Sequence, residues 1–171
     1  MFARRAGMIG GVLAALVTTG ALAQDYPSRP ITIIVPFPGG GTTDYAIEIF
    51  HAALRQGHYT SFLAPHTALP MMYMPDAIRA TMELMEAPAD RIKVRTSYNL
   101  SAMSFSPEEI ADSIRAHLPA FKMDCKPDFR QAIADSWPQS IDDSPARADW
   151  GWKEEFNLAS MTADMLMQLK H

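Results

Sequence analysis

The chain has a single cysteine, Cys125, which excludes an intrachain disulfide and a Cys-rich metal site. No neighbour in sequence would lower the thiol pKa, so Cys125 reads as a small, half-buried side chain rather than a nucleophile. Positive charge is also short: 15 basic residues stand against 19 acidic ones, giving a formal charge of −4. No basic cluster offsets this, which argues against a nucleic-acid partner. The longest apolar run, Met8 to Leu22, is short for a membrane span. The histidines His51, His58, His66, His117 and His171 offer no pair at metal-ligand spacing with a third ligand. Asp142-Asp143 reads as helix-start charge ahead of Ser144, with a metal pair as the alternative. What the chain has is length and apolar content: 171 residues, 48% hydrophobic and 12 methionines, enough for one domain with a real core. Met71, Met72 and Met74, and separately Met161, Met165 and Met167, read as core filler.

Residues 1–23 have the layout of a secretory signal peptide. Arg4 and Arg5 give a positive start, the apolar run follows, and Ala21-Leu22-Ala23 is a small-x-small cleavage site. Gly7-x-x-Gly10 inside it has no preceding strand and no third glycine at the spacing of a dinucleotide loop. Pro27, Ser28 and Pro30 then mark a turn, and Ile31-Thr32-Ile33-Ile34-Val35, β-branched throughout, reads as a buried strand. Next comes Pro38-Gly39-Gly40-Gly41-Thr42-Thr43-Asp44-Tyr45-Ala46. Three glycines allow φ > 0 and close approach to a ligand, and Thr42, Thr43 and Asp44 offer N-cap oxygens. Such a turn feeding a helix N-terminus suits a carboxylate or phosphate; an ordinary strand-to-helix turn with a cap is the plain alternative.

Downstream, helices alternate with strands, so the class is α/β. Thr43 to Gln56 reads as a helix with Tyr45, Ala46, Ile49, Phe50, Ala53 and Leu54 on one face and Gly57 closing it. Ser61 to Tyr73 is irregular and ends in Met71-Met72-Tyr73-Met74, a short strand. Pro75 to Met85 is a helix with Ala77, Ile78, Thr81, Met82 and Met85 inward. Val94 to Leu100 reads as a strand. Ser106-Pro107-Glu108-Glu109 is a capping box that opens a helix running to Leu118. Phe121 to Cys125 is a strand, Ser144 to Trp150 a short helix closed by Gly151, and Leu158 to Leu169 a final amphipathic helix.

Two resemblances overlay this reading. Tyr-Pro-Ser-Arg-Pro-Ile-Thr-Ile-Ile-Val-Pro-Phe-Pro-Gly-Gly-Gly-Thr, behind a leader ending Ala-Gln, resembles the start of the periplasmic receptors of tripartite tricarboxylate transporters. That likeness covers residues 1–44 and implies a carboxylate ligand at the glycine-rich turn, though those receptors are two-lobed and much longer than this chain. From residue 38 to 171 the chain resembles the C-terminal half of the short-chain type of L-threonine 3-dehydrogenase, an extended short-chain dehydrogenase related to the epimerases and dehydratases. The segments are Pro-Gly-Gly-Gly-Thr-Thr-Asp-Tyr-Ala (38–46), Leu-Pro-Met-Met-Tyr-Met-Pro-Asp-Ala-Ile-Arg-Ala-Thr (69–81), Tyr-Asn-Leu-Ser-Ala-Met-Ser-Phe-Ser-Pro-Glu-Glu (98–109), Arg-Gln-Ala-Ile-Ala-Asp-Ser-Trp-Pro (130–138) and Asp-Asp-Ser-Pro-Ala-Arg-Ala-Asp-Trp-Gly-Trp-Lys (142–153). The two families share the Pro-Gly-Gly-Gly-Thr string, so the sequence reads as a chimera: a leader (1–23), a receptor-like strand (24–37) and a dehydrogenase substrate-binding domain (38–171).

The second resemblance implies an incomplete Rossmann-type fold with the cofactor half missing, and oxidation of L-threonine to 2-amino-3-ketobutyrate with NAD, a step of threonine catabolism. The family's proton transfer uses a Tyr-x-x-x-Lys pair. None of Tyr26, Tyr45, Tyr59, Tyr73 and Tyr98 has a lysine four residues on, and the Gly-x-x-Gly-x-x-Gly loop is also absent. The expected catalytic set is therefore empty, and the chain alone is expected to be inactive. The resemblance implies a substrate side at Gly41, Thr42, Thr43 and Asp44. There the Asp44 carboxylate can hold an ammonium and the threonine hydroxyls a carboxylate; a helix N-terminal charge is the other reading of Asp44. Trp137 walls the pocket or serves as a core aromatic, and Arg79 reads as a salt-bridged helix residue. The expected partner is L-threonine or a carboxylate, with the family's dimer contacts allowing a homodimer. The leader implies a periplasmic or secreted location, whereas the dehydrogenase family is cytoplasmic.

Overall fold

A computed structural model describes residues 32–34 and 45–170. The leader, most of the 24–37 stretch, and Gly41, Thr42, Thr43 and Asp44 lie outside the described residues. Among the described residues there are six strands and six helices, none of the helices long and apolar enough to cross a membrane. The class is α/β.

Helix α1 (Tyr45–Gln56) places Ile49, Phe50 and Ala53 on one face, and all three are buried. Gly57 ends it at φ 66°, and its N–H donates to Ala52 O (3.1 Å) and Ala53 O (3.2 Å). A positive φ is cheap only for glycine, which explains the sharp exit. The chain turns at once into β2 (His58–Ser61), which pairs in parallel with β6 (Lys122–Cys125), His58 opposite Lys122 and Ser61 opposite Cys125. Between them β3 (Leu69–Met71) runs antiparallel to β5 (Met103–Phe105). The third pair is β1 (Thr32–Ile34) in parallel with β4 (Ser97–Asn99).

Two apolar clusters form the core. The first joins α1 and the two strand pairs β2–β6 and β3–β5 to α3 (Pro107–Arg115) and α6 (Leu158–Gln168), with Phe50, Leu63, Leu69, Phe105, Ile110 and Ile114 at its centre. The second joins α2 (Met74–Glu86), β4 and α5 (Ser144–Trp150) through Ala80, Leu84, Tyr98, Leu100, Trp150 and Trp152. Tyr73, between β3 and α2, ties the two. Its hydroxyl donates to Asp164 Oδ2 on α6 at 2.7 Å, and its ring meets Phe156 edge-on at 4.9 Å. Burial, together with the Asp164 bond, pushes the Tyr73 phenol up to about 12.

Several sequence expectations change. Met74 is not part of a strand: β3 ends at Met71, and Met74 opens α2 as an exposed residue. On α2 the inward face is Asp76, Ala77, Ala80 and Leu84, whereas Ile78, Met82 and Met85 point outward. The rotation follows Asp76, whose carboxylate is fully buried. It accepts the N–H groups of Glu155 (3.1 and 3.2 Å) and Phe156 (3.0 Å) and pairs with Arg79 at 2.7 Å. A carboxylate with that many donors is held inside, and the helix turns with it. Met167 is likewise exposed rather than core, while Met71, Met72 and Met161 are buried as expected. Strand β4 is shorter than the Val94–Leu100 expectation, α3 ends at Arg115 rather than Leu118, and β2, β5 and α4 (Phe129–Asp135) are elements that the pattern did not reveal.

Candidate functional site

The site begins with the segment that leaves β2. After Ser61 the chain stays beside the exit of β6: Lys126 N–H donates to Ser61 O at 2.8 Å and Asp128 N–H to Phe62 O at 3.2 Å. This sets α4 against residues 62–68. Asp128 caps α4, its Oδ1 accepting the Arg130 N–H at 2.9 Å. Its carboxyl is held below the ordinary range by the Arg130 guanidinium, which also lies 3.3 Å above the Phe62 ring.

Gln131 then ties α4 to the loop through both ends of its amide. Its Oε1 accepts the Ala64 N–H at 2.7 Å, and its Nε2 donates to Thr67 Oγ1 at 2.9 Å and to Asp135 Oδ1 at 2.6 Å. Pro65 O accepts the Glu108 N–H at 3.1 Å, fixing the loop to the start of α3. The result is a cavity of about 320 Å³ lined by Ala64, Pro65, His66, Thr67, Ala68, Ala134, Asp135, Trp137 and Gln139. Trp137 follows the end of α4, its N–H donating to Ala134 O at 3.1 Å, and its half-buried ring leans on the first core cluster.

Chemically this is a small open cup of mixed lining, with Ala64, Pro65, Ala68, Ala134 and Trp137 beside the polar His66, Thr67, Asp135 and Gln139. Asp135 can take an ammonium, because an ionised carboxylate accepts at both oxygens. Thr67 offers a hydroxyl already oriented by Gln131. The Trp137 ring packs on the first core cluster and also lines the cavity. Ala46, in the first turn of α1, packs on the same cluster as Trp137. Gly41, Thr42, Thr43 and Asp44 precede that helix in sequence and fall outside the described residues.

His66, Thr67, Asp135 and Gln139 were not singled out from the sequence. One signal was available: Asp128-x-x-Gln131 has the spacing of a capping box, and it announces α4. Nothing local announces the partnership of Thr67 with Gln131, which the β2–β6 pairing creates.

The other titratable groups are structural. Arg79 pairs with Asp76 and with Glu83 (2.6 Å) and stacks 4.9 Å from the Trp152 ring. Asp142 and Asp143 serve backbone and ion pairs rather than a metal: Asp142 Oδ1 accepts the Ser144 N–H at 3.0 Å, and Asp143 pairs with Arg147 at 2.8 Å. Burial pushes the Cys125 thiol up, with Glu108 and Asp124 adding to it, which opposes a nucleophilic role. In the groove between α1 and β2, Tyr59 donates to Glu48 at 3.3 Å, and His58 Nε2 stands 3.0 Å from Asp124. Among the described residues no three His, Cys, Asp or Glu side chains could hold a metal ion together.

A dinucleotide needs an open helix N-terminus for its pyrophosphate. Among the described helices, α1, α2, α3, α4 and α5 each carry a carboxylate there (Glu48; Asp76; Glu108 and Glu109; Asp128; Asp143), and α6 is closed by the reciprocal Asn157–Ser160 box. These described termini offer no such opening, and the residues leading into α1 lie outside the described ones.

No family model matches the chain. Bovine mitochondrial L-threonine 3-dehydrogenase is 55% identical over 130 residues, which is 75% of this chain and 35% of that protein. An uncharacterised epimerase/dehydratase of Staphylococcus haemolyticus is 53% identical over 134 residues, 78% of this chain and 42% of its own length. Among solved structures, the L-threonine dehydrogenase of Phytophthora infestans superposes with a TM-score of 0.75 at 55% identity, over 82% of this chain and 45% of that one. The apo GalE-like L-threonine dehydrogenase of Cupriavidus necator gives 0.73 at 60% identity, over 81% and 50%. The fold of the described part is thus that of the extended short-chain dehydrogenases. The chain spans from about a third to half of the length of these relatives.

Proposed function

We propose that residues 38–171 are the C-terminal, substrate-binding part of an NAD-dependent L-threonine 3-dehydrogenase, and that this chain alone does not oxidise threonine. The observation carrying this reading is that sequence identity above one half and a shared fold each extend over three quarters or more of the chain. In it, the glycine-rich turn with Gly41 and Thr42 admits the amino acid. Thr43 and Asp44 hold its charged groups, and Trp137, which lines the cavity of Thr67 and Asp135, walls the pocket. The sequence has no tyrosine with a lysine four residues on, so no group of that kind takes the proton. NAD supplies the hydride acceptor in such enzymes. Residues 1–23 are read as a leader and 24–37 as a receptor-derived strand, the join lying in the shared Pro-Gly-Gly-Gly-Thr string; a processed leader would export the chain.

Calorimetry on the purified chain tests this with three ligands. L-Threonine is expected to bind, NAD is not, and Asp44→Ala is expected to abolish the threonine heat. Binding of citrate without threonine would replace the reading with a periplasmic carboxylate receptor. Threonine heat unchanged in Asp44→Ala would remove Asp44 from the site.

A further inference from the structure

Gln131 reaches three points of the cup wall from the first turn of α4. The two ends of its amide have the same shape, but their neighbours are not interchangeable. The Ala64 N–H can only donate, so the amide oxygen must face it, at 2.7 Å. The two Nε2 hydrogens are thereby directed to Thr67 Oγ1 at 2.9 Å and to Asp135 Oδ1 at 2.6 Å. The loop that carries Thr67 is closed on itself, its N–H donating to Ala64 O at 3.1 Å.

This order fixes what the wall shows to the cavity. A hydroxyl has one hydrogen and two lone pairs. Thr67 Oγ1 accepts from Gln131, so its own hydrogen is left to give, and no described residue takes it. Asp135 is aimed by a neutral amide, which leaves its charge uncancelled, and it has no cationic partner among the described residues. The other titratable lining residue, His66, faces Glu108, with Nδ1 3.6 Å from Oε2. Thr67 and Asp135 both bond to one nitrogen, so a donor and a negative charge stand side by side at the cavity that both residues line.

We propose that Gln131 is a positioning residue that sets the polarity of the cup, and that the cup takes a small ligand with an ammonium two carbons from an oxygen acceptor. The ammonium meets Asp135 and the oxygen meets the Thr67 hydroxyl. α-Amino acids and 1,2-amino alcohols have this arrangement. A carboxylate without nitrogen does not, and the Asp135 charge opposes it. The proposal deepens the functional reading above, which makes L-threonine the natural ligand; the ligand class itself rests on the cup.

The test follows the backbone amides of Thr67 and Asp135 by NMR in the purified chain. Ethanolamine is the minimal probe, with ethylamine lacking its oxygen and ethylene glycol its nitrogen. Ethanolamine is expected to shift both amides and to bind at least about tenfold more tightly than either control, the effect of one missing hydrogen bond to a fixed partner. Asp135→Asn is expected to erase the preference over ethylene glycol. Thr67→Val is expected to erase that over ethylamine, and Thr67→Ser to restore it. Gln131→Glu keeps an acceptor for the Ala64 N–H but has no hydrogen to give, so it draws the Thr67 hydrogen to itself. It is expected to erase the preference over ethylamine alone, with hydrogen exchange at the Ala64 amide unchanged. Loss of both preferences with faster Ala64 exchange would make Gln131 only a tie for the loop and overturn its positioning role. Equal binding of the three probes, or no shift with ethanolamine, overturns the ligand class. Calorimetric heat from L-threonine without a shift at either amide overturns the proposal and leaves the functional reading; ethanolamine shifts without threonine heat do the reverse.

Discussion

Asp76 is the residue on which the most structure hangs. Its buried carboxylate serves two backbone N–H groups of the 155–156 turn and the Arg79 guanidinium. Removing it strands the two backbone N–H groups and takes one partner from Arg79, which keeps Glu83, so Asp76→Ala should cost about 3 kcal/mol in a urea melt; a loss near zero would mean water replaces the carboxylate. Asp149 makes a claim about pH. The Tyr98 hydroxyl, 2.6 Å away, and Lys93 hold its carboxyl below the ordinary range, against the opposing effect of burial. A folded-state pKa below the unfolded one stabilises above the unfolded value and is lost as pH falls through the folded one. Tyr98→Phe should therefore destabilise at neutral pH, and the gap to the parent should narrow below about pH 4. A gap constant down to about pH 3 would break the link between the two groups. At the candidate site, Gln131→Ala should speed hydrogen exchange at the Ala64 amide and cost about 1 kcal/mol. An unchanged amide would show that the loop does not depend on α4.

At the scale of elements, α3 is the clearest case of sequence writing structure. Ser106 Oγ accepts the Glu109 N–H, and Glu109 Oε2 accepts the Ser106 N–H, the reciprocal box its spacing implies. Ser106→Ala should lower stability by about 1 kcal/mol, measured by chemical denaturation. Helices α1, α5 and α6 were legible for the same reason, having caps, a closing glycine or apolar periodicity. The misses share a different cause. β2 and β5 are four and three residues long, too short for alternation to show, and α4 has seven. The inward face of α2 was misread because hydrophobicity pointed to Ile78, Met82 and Met85, whereas the buried Asp76 and its distant N–H partners decide the rotation. In the candidate site Trp137 was legible through the resemblance that carries it. Thr67 and Asp135 were not, because Gln131 meets Thr67 only once β2 and β6 pair.

For the whole molecule, the two clusters differ in completeness. The first is enclosed by α1, α3, α6 and the β2–β6 and β3–β5 pairs. The second is built on a two-stranded parallel pair, under a helix whose outer face stays apolar. That asymmetry fits a chain spanning 35 to 50% of the length of relatives it matches. On the proposed reading, function depends on a cofactor-bearing half. The most direct measurement is NADH formation from NAD and L-threonine, first with the chain alone and then with its fusion to the N-terminal half of the C. necator enzyme. The account predicts no NADH from the chain and threonine-dependent NADH from the fusion, lost in Asp44→Ala. A fusion that folds and binds NAD but gives no NADH with L-threonine would contradict it.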